Sequence, residues 1–220
     1  PDLVGGNHGW NSRFKASINK PIRMYVNDFD QNGSIEQVIT AYNGFEAFPV
    51  ALKPDMVTQV PALRKKYQKF ADYAGQRVED IFSATQIEQS LQLKAVNLSS
   101  SLILNRGNDP WQVIELPVEA QTTPIYAIHS EDIDHDGRKD LLMGGNLYRA
   151  KPEVGIYDGS YGVALKGNGR GDFKPLTYKE SGFFMKGEVR DIERIEINKK
   201  AYIIVSINDE NIRIFKQENK

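Results

Sequence analysis

Apolar residues along this chain occur mostly in short runs that glycine, asparagine and aspartate interrupt. The runs at residues 37–41 and 141–143 each follow an aspartate-rich stretch and lie just before an asparagine or a Gly-Gly-Asn. Short apolar runs and period-two alternation between turn residues are typical of β-strands. We therefore predict a mainly all-β chain of antiparallel strands, in which neither of these runs forms a helix.

One segment departs from this pattern and predicts helices. Between residues 61 and 74 apolar side chains recur at helical spacing, with Pro61 at the start and Gly75 after the end. The stripe consists of Leu63, Tyr67, Phe70 and Ala74. Residues 83–86 read Ser-Ala-Thr-Gln, a capping box that predicts the start of a second helix. Residues 54–92 are therefore interpreted as a helical insertion in an otherwise β chain.

Four stretches share one order of parts, namely an opening aspartate, an apolar run and a closing asparagine. They are residues 2–7, 28–43, 132–146 and 191–208. The first is interpreted as the tail of a copy whose loop lies upstream. The last is interpreted as an eroded copy, which keeps its opening Asp191 and its strand but has lost the Asp-Gly turn. Such internal similarity is typical of repeat architectures.

A second signature lies in residues 105–111 and 167–173, which read NRGNDPW and GNGRGDF. The two stretches share a glycine and an aromatic residue at matching positions. A glycine-rich turn before an aromatic-led strand predicts a hairpin, and neither a Lys-Ser/Thr pair nor a helix follows to make a phosphate loop. Together the two signatures predict a partial β-propeller, with its antiparallel blades in residues 1–53 and 93–220.

The strongest chemical signal is the sequence DIDHDGRKD at 132–140. Calcium takes six to eight oxygen ligands at about 2.3–2.6 Å, and alternate carboxylates on a tight turn can converge on one point. The predicted ligands are Asp132, Asp134, Asp136, the carbonyl of Arg138, and Asp140. The equivalent set at 28–36 is Asp28, Asp30, Asn32, the carbonyl of Ser34, and Glu36. We predict one structural Ca²⁺ in each loop, more weakly bound at 28–36 because that loop has one carboxylate fewer.

Two alternatives compete with this interpretation of the loops. Asp and Asn also favour tight turns, so an acidic surface turn without metal is one alternative. The recurrence of the pattern, and the repulsion between close carboxylates that lack a cation, favour metal binding. The other alternative, an EF-hand, needs flanking helices and a glutamate at its last loop position. That position is Ile39 or Met143, within strand-like runs, so the EF-hand is excluded.

Composition excludes several classes of function. The 220 residues contain no cysteine, which excludes disulfides, thiolate metal sites and cysteine nucleophiles. A net charge of −1 implies neither a nucleic acid nor an anionic membrane as partner. No run approaches the roughly 20 apolar residues of a transmembrane helix. None of the histidines, His8, His129 and His135, lies beside a serine nucleophile motif. The chain is therefore predicted not to be an enzyme.

The loop pattern D-x-D-x-[DN]-G-x-x-[DE], followed by an apolar strand and an asparagine, resembles the FG-GAP repeat of integrin α-subunit propellers. The phrases GGNHGWNSRF, SGFFMKGEVRDI and KPEVGIYDGSYG look like late repeats of bacterial VCBS proteins related to the cartilage acidic protein (ASPIC/UnbV) group. The resemblance implies a secreted or surface-exposed propeller that carries calcium in its hairpins and serves in binding. The copy at Asp191 departs from the pattern, so we expect no cation there.

These observations lead to a functional expectation. We expect a non-catalytic, calcium-stabilised binding or adhesion-type module, extracellular, at the cell surface or periplasmic in a bacterium, with an unknown protein or glycan as partner. The alternative is a carbohydrate-active protein, either a lectin or a propeller like those of polysaccharide lyases. The start at Pro1 without Met, inside one copy, indicates a C-terminal piece of a longer protein. An open blade edge is then expected, with self-association as one way to cover it.

Overall fold

The structure, a computed structural model, describes residues 1–151 and 154–217. They are mainly β, in four antiparallel sheets of which none closes into a ring, so the prediction of a mainly β chain is confirmed. The chain divides into an inserted unit, Phe14–Asn97, and a main unit, Pro1–Arg13 with Leu98–Lys220. Two residues of the phrase KPEVGIYDGSYG, Pro152 and Glu153, lie outside the described residues.

The strands carry one label each in chain order. They are β1 (Leu3–Gly5), β2 (Ile22–Asn27), β3 (Glu36–Asn43), β4 (Glu46–Pro49), β5 (Leu91–Ala95), β6 (Ser101–Leu104), β7 (Gln112–Glu115), β8 (Ile125–Glu131), β9 (Asp140–Gly145), β10 (Val163–Gly167), β11 (Phe173–Leu176), β12 (Val189–Ile197), β13 (Lys200–Ile207) and β14 (Arg213–Lys216). The predicted runs at 37–41 and 141–143 lie in β3 and β9, so both are strands and the exclusion of an EF-hand stands.

The sheets are built mostly from strands that follow one another along the chain. The inserted unit contains one sheet of order β4-β3-β2-β5. The main unit contains three, of orders β1-β6-β7, β11-β10-β9-β8 and β12-β13-β14. The pairing of β1 with β6 joins Leu3 to Ile103 in register. The whole inserted unit is therefore an excursion between two neighbouring strands of one sheet.

Helices are short throughout the described residues, and none is long and apolar enough to span a membrane. The helices are α1 (Lys53–Gln59), α2 (Phe70–Tyr73), α3 (Val78–Ile81), α4 (Ala84–Gln89) and α5 (Tyr178–Ser181), with 3₁₀ turns at Pro61–Arg64 and Val118–Gln121. The predicted capping box is confirmed, because the Ser83 hydroxyl accepts the Gln86 N–H and the Gln86 side chain accepts the Ser83 N–H.

The prediction of one continuous helix over 61–74 is wrong. The segment forms a 3₁₀ turn that ends at Arg64 and a separate single turn that begins at Phe70. The second turn starts anew because the Asp72 carboxylate accepts the N–H of Lys69, which closes off any helix entering from the N-terminal side. Phe70 is 68% exposed, so it does not share the buried face of the predicted stripe.

The helical segment nevertheless supplies the core of the inserted unit. Met56, Val60, Leu63 and Tyr67 from this segment join Tyr25, Phe29 and Val38 from the sheet region in one buried cluster. The rings of Phe29 and Phe82 stack with their centroids 4.0 Å apart. Burial of large apolar side chains between a sheet and short helices is the main source of stability here. The hairpin that carries the first aspartate loop is therefore packed against the helical segment through this cluster.

In the main unit, strand β9 lies at the centre of the packing, and all of its residues are buried. Leu141 and Met143 belong to one core cluster, whereas Leu142 belongs to another. Alternate residues of a strand point to opposite faces of its sheet. The strand that follows the second aspartate loop therefore contributes to two cores, which fixes the position of that loop's C-terminal end.

Two hairpins of the main unit share the same irregularity. β8 and β9 pair with a bulge between Ile125 and Ala127, and β12 and β13 pair with a bulge between Val189 and Asp191. The backbone N–H that follows β9 donates to the carbonyl of Pro124 at 3.1 Å, and the one that follows β13 donates to the carbonyl of Glu188 at 2.9 Å. At the end away from the connecting loop, the two hairpins therefore share the same bulge and the same closing hydrogen bond.

This match corrects the position of the eroded copy. Asp191 lies inside β12 and pairs with Ser206, so it does not begin a loop. The turn that corresponds to the aspartate loop is Asn198–Lys199, two residues with positive φ of 52° and 61°. Asparagine tolerates such angles better than most residues. The sequence alignment on Asp191 was wrong because it matched an Asp-Ile dipeptide without knowledge of the strand register.

The glycine-rich stretches behave as predicted. The first, residues 105–111, connects β6 to β7, and residues 168–172 connect β10 to β11. In each turn an asparagine side chain accepts the N–H two residues further on, from Asn105 to Gly107 at 2.9 Å and from Asn168 to Arg170 at 2.8 Å. Such Asx turns are common in tight loops. Both stretches are hairpin turns, and neither leads into a helix.

Candidate functional site

The first aspartate loop joins β2 to β3 and is held by its own side chains. Asp28 accepts the N–H of Asn32 at 3.0 Å through Oδ1 and that of Gly33 at 2.8 Å through Oδ2. Asn32 Oδ1 accepts the N–H of Ser34 at 2.7 Å. The buried Glu36 accepts the N–H of Phe29 at 2.8 Å. The loop is therefore closed by four bonds from side-chain oxygen to backbone.

The second aspartate loop joins β8 to β9 and has the same bonds at the same spacing. Asp132 accepts the N–H of Asp136 at 3.0 Å and that of Gly137 at 2.9 Å. Asp136 Oδ1 accepts the N–H of Arg138 at 3.0 Å. The buried Asp140 accepts the N–H of Ile133 at 3.1 Å. The two loops thus share one conformation although they lie in different units.

Backbone angles confirm the correspondence between the loops. Gln31 and His135 have positive φ of 58° and 61°, and the glycines Gly33 and Gly137 have 88° and 83°. A positive φ is strained for most L-residues, and glycine accepts it without cost. Two left-handed residues in each loop turn the chain tightly enough for alternate side chains to converge.

Each loop brings three carboxylates together, and these two acidic clusters could hold a metal ion. In the first cluster, ligand oxygens of Asp28, Asp30 and Glu36 all lie within 4.8 Å of one another. The second cluster joins Asp132, Asp134 and Asp136 within the same distance. Carboxylates this close repel one another unless a positive charge lies between them. Seven of the ten predicted ligands are carboxylates, and six of those seven lie in the clusters.

The remaining carboxylate, Asp140, lies outside the second cluster. Its Oδ1 accepts the N–H of Gly167 at 3.0 Å and its Oδ2 that of Ile133, so both oxygens bind backbone. Burial raises the pKa of the Asp140 carboxyl, although these two bonds act in the opposite direction. Asp140 therefore anchors the loop to β10. Ser34 and Arg138 donate their N–H groups within the loops, and the ligand role of their carbonyls stays a prediction.

An observation independent of the clustering also indicates that the first cluster fits a cation. Asp30 Oδ1 is shielded from solvent, and within the described residues it has no hydrogen-bond partner. Leaving a buried carboxylate oxygen unsatisfied costs more than a typical hydrogen bond contributes. Asp30 shares the cluster with Asp28 and Glu36. An oxygen-seeking cation would satisfy it there and offset the charge of all three groups.

In the second cluster a lysine lies against the carboxylates. The ammonium of Lys166, on β10, pairs with Asp134 and lies 2.9 Å from Asp136 Oδ2. The hydrogen bond from Lys166 lowers the pKa of Asp136, and the bonds to Asp134 and Asp136 raise the pKa of Lys166. The sequence did not predict this contact, because the contact depends on the pairing of β10 with β9 and no local motif indicates that pairing.

Two of the three histidines have identifiable partners. His129 Nε2 lies 3.1 Å from Glu131 Oε2. His8 Nε2 lies 2.8 Å from the Ser12 hydroxyl, and its ring contacts that of Tyr157 edge-on at 4.9 Å. Burial lowers the pKa of His8. The sequence search looked only for a known serine motif, so it missed Ser12 four residues away. The Ser12–His8 pair ties the N-terminal segment to Tyr157.

Comparison with known protein families and curated sequences found no match. The resemblance to FG-GAP and VCBS repeats therefore rests on the residues of this chain alone.

Proposed function

We propose that this chain is a non-catalytic binding module whose hairpins are stabilised by calcium. The observation that carries the proposal is the shared loop. Two hairpins in separate units repeat four side-chain-to-backbone bonds and two left-handed residues, and each gathers three carboxylates. A shielded Asp30 oxygen without a hydrogen-bond partner among the described residues supports a cation in the first of them. Each loop connects two paired strands of a hairpin, which fits a structural role for the ion.

The proposal includes a β-propeller arrangement of the sheets. β8 to β11 form a four-stranded antiparallel sheet in sequence order, as a propeller blade does. β1, β6 and β7 pair in the same order as β9, β10 and β11. The common bulge and closing bond of the β8–β9 and β12–β13 hairpins also support blades of one type.

The open edge of β1 supports the expected self-association. Among the described strands β1 pairs with β6 alone, whereas the corresponding β9 pairs with both β10 and β8. An unpaired strand edge can accept another strand. We therefore include self-association through this edge in the proposal. The extracellular or periplasmic location rests on the sequence resemblance alone.

Thermal unfolding in calcium and in EDTA tests the proposal. An ion that binds only the folded state stabilises it by about 2.7 kcal/mol at a hundredfold excess over its Kd. For a chain of this size we expect the melting temperature to be about 5–10 °C higher in millimolar calcium than in EDTA. Asp30→Asn should remove the part of this difference that comes from the first loop.

The matched control for that experiment is Asp191→Ala. Asp191 is an exposed acidic residue within β12, outside both loops, so this variant should keep the full calcium response whatever its own stability. Equal melting temperatures in calcium and EDTA for the unsubstituted chain would contradict the proposal. So would a calcium response in Asp30→Asn that fell no further than in Asp191→Ala.

A carbohydrate-binding role is the second candidate, and one surface cluster favours it. The rings of Tyr161 and Phe184 lie parallel, with an angle of 7° and centroids 5.2 Å apart, and Tyr178 contacts Phe184 at 5.7 Å. About half of each of these side chains is exposed. Exposed aromatic rings offer apolar faces that stack on other groups, and a sugar ring can use such a face.

A glycan array distinguishes this candidate from protein binding. If the aromatic cluster binds sugar, Phe184→Ala should weaken the strongest glycan signals about tenfold, which corresponds to the loss of one stacking contact. Phe45→Ala is the control, because Phe45 is 92% exposed and belongs to the inserted unit. An array without signals, or with signals that both variants weaken equally, would leave protein as the partner class.

A further inference from the structure

One difference between the two aspartate loops is a lysine that lies beside the second of them. Lys166 pairs with Asp134 and Asp136 of the second cluster. Arg138 lies further off, with its Nη1 4.0 Å from Asp136 Oδ2. In the described part of the chain, no ion pair or hydrogen bond brings a Lys or Arg to Asp28, Asp30 or Glu36. Of the two clusters of three carboxylates, the second therefore has positive side chains beside it, and within the described residues the first has none.

Lys166 is held beside the second loop by its backbone. It lies on β10 next to Leu165, which pairs in register with Leu141 of β9. The following residue, Gly167, donates its N–H to the anchoring carboxylate of Asp140. Because a side chain at Gly167 would overlap the carbonyl oxygen of Lys139, the two strands approach closely here. Lys166 thus starts within reach of the carboxylates and loses little freedom when it contacts them.

An ammonium is an incomplete substitute for a divalent cation. It carries one positive charge and offers three donors, whereas calcium carries two charges and takes six to eight oxygens. Ion pairs that are partly exposed to water, as this one is, are weak. A calcium ion can therefore displace Lys166, but its apparent affinity is lowered by the free energy of the ion pairs that it must break.

We propose that Lys166 is an intramolecular competitor for the cation at the second loop. Its ammonium offsets part of the negative charge of Asp134 and Asp136 when the cation is scarce, and it must leave before these carboxylates bind one. This inference rests on the proposed calcium function. It gives the two loops different affinities, with the first loop filled at lower calcium concentration, which reverses the order expected from a count of carboxylates.

Calorimetric titration of the full chain with CaCl₂ tests the proposal. In an Asp30→Asn background, which weakens the first loop, Lys166→Gln should lower the Kd of the second loop about tenfold. The matched control is Lys174→Gln. Lys174 lies directly opposite Lys166 in the β10–β11 pairing, and no described ion pair joins it to Asp134 or Asp136. This control removes the same charge and should change the Kd less than twofold. Lys166→Met, which keeps the apolar stem, serves as a second variant.

Thermal unfolding gives a readout that a merely structural lysine would not give. Without its counter-ion the second cluster should be less stable, so Lys166→Gln should lower the melting temperature in EDTA by about 2–4 °C. In saturating calcium the same variant should melt at or above the temperature of the parent. A drop of equal size in both conditions would overturn the proposal.

The titration separates failure of this inference from failure of the proposed function. An unchanged Kd in Lys166→Gln, or equal tightening in Lys174→Gln, overturns the role of Lys166 and leaves calcium binding intact. Calcium binding by Lys166→Gln where the Asp30→Asn parent binds none supports it. If neither binds calcium while the unsubstituted chain does, the inference fails, and the proposed function then rests on the first loop.

Discussion

Gly145→Ala is expected to destabilise the main unit by more than about 4 kcal/mol, a loss that few single substitutions cause. A Cβ at this position would overlap the carbonyl oxygen of Pro124, which is a backbone atom. The same carbonyl accepts the N–H of Asn146 and closes the β8–β9 hairpin. A side-chain rotation cannot relieve a clash with backbone, so the two strands must separate where β9 enters both cores.

Circular dichroism during heating measures this effect, and Gly5→Ala is the control. Gly5 lies on the edge strand β1, and an added Cβ there would have no neighbour within 4 Å. Glycine-to-alanine changes at compatible sites leave stability unchanged or raise it by up to about 1 kcal/mol. We expect Gly145→Ala to melt at least about 8 °C below the parent. Equal melting of the two variants would show that the hairpin tolerates a wider opening than the structure indicates.

Asn146→Ala is expected to lower the free energy of unfolding by about 3–5 kcal/mol. This asparagine is only 1% exposed and joins three segments. Its Nδ2 donates to the carbonyls of Ser160 at 2.8 Å and Gly187 at 3.0 Å, and its Oδ1 accepts the N–H of Ser160 at 3.1 Å. Alanine would leave three buried backbone groups without partners, at about 1–3 kcal/mol each.

A second substitution separates hydrogen bonding from backbone strain at this position. Asn146 has φ of 75°, which glycine adopts freely and alanine does not. Asn146→Gly should therefore be about 1 kcal/mol more stable than Asn146→Ala, and the remaining loss of stability, which comes from the hydrogen bonds, should persist. Asn105→Ala, at an exposed turn with one side-chain bond to Gly107, should cost less than about 1.5 kcal/mol. Full recovery in Asn146→Gly would contradict the argument from hydrogen bonds. Chemical denaturation gives these differences directly.

The local chemistry of the aspartate loops could be predicted from the sequence. Asp28 and Asp132 each bind N–H groups four and five residues ahead, and such contacts depend only on neighbours along the chain. The strands β3 and β9 after the loops follow from their apolar runs for the same reason. The capping box at Ser83 is also local and was predicted correctly.

Features that depend on pairing between distant strands could not be predicted in this way. From the sequence, the insertion was predicted to be the helical segment 54–92. In the structure the inserted unit is residues 14–97, because β5 pairs with β2 and so joins the two ends of that unit. Asp191 was misplaced since a strand bulge decides its register. Lys166 on β10 reaches Asp134 in the loop that precedes the neighbouring strand β9, and Asp140 binds Gly167 rather than joining the cluster. Each of these outcomes requires the strand register, which the pattern of residue types did not reveal.

The two matched hairpins of the main unit have a consequence for how such a protein can change over time. Their registers are fixed at the bulge and closing bond, at the end of the hairpin away from the loop. At the other end, one hairpin carries residues 132–139 and the other only Asn198–Lys199. The tip is therefore interchangeable. An acidic loop can be gained, shortened or lost there by insertion and deletion while the bulge and the closing bond keep the strand register, provided that the contact of Ile133 with the core is replaced. The same freedom makes the tip of β12–β13 a suitable place to graft a new binding loop.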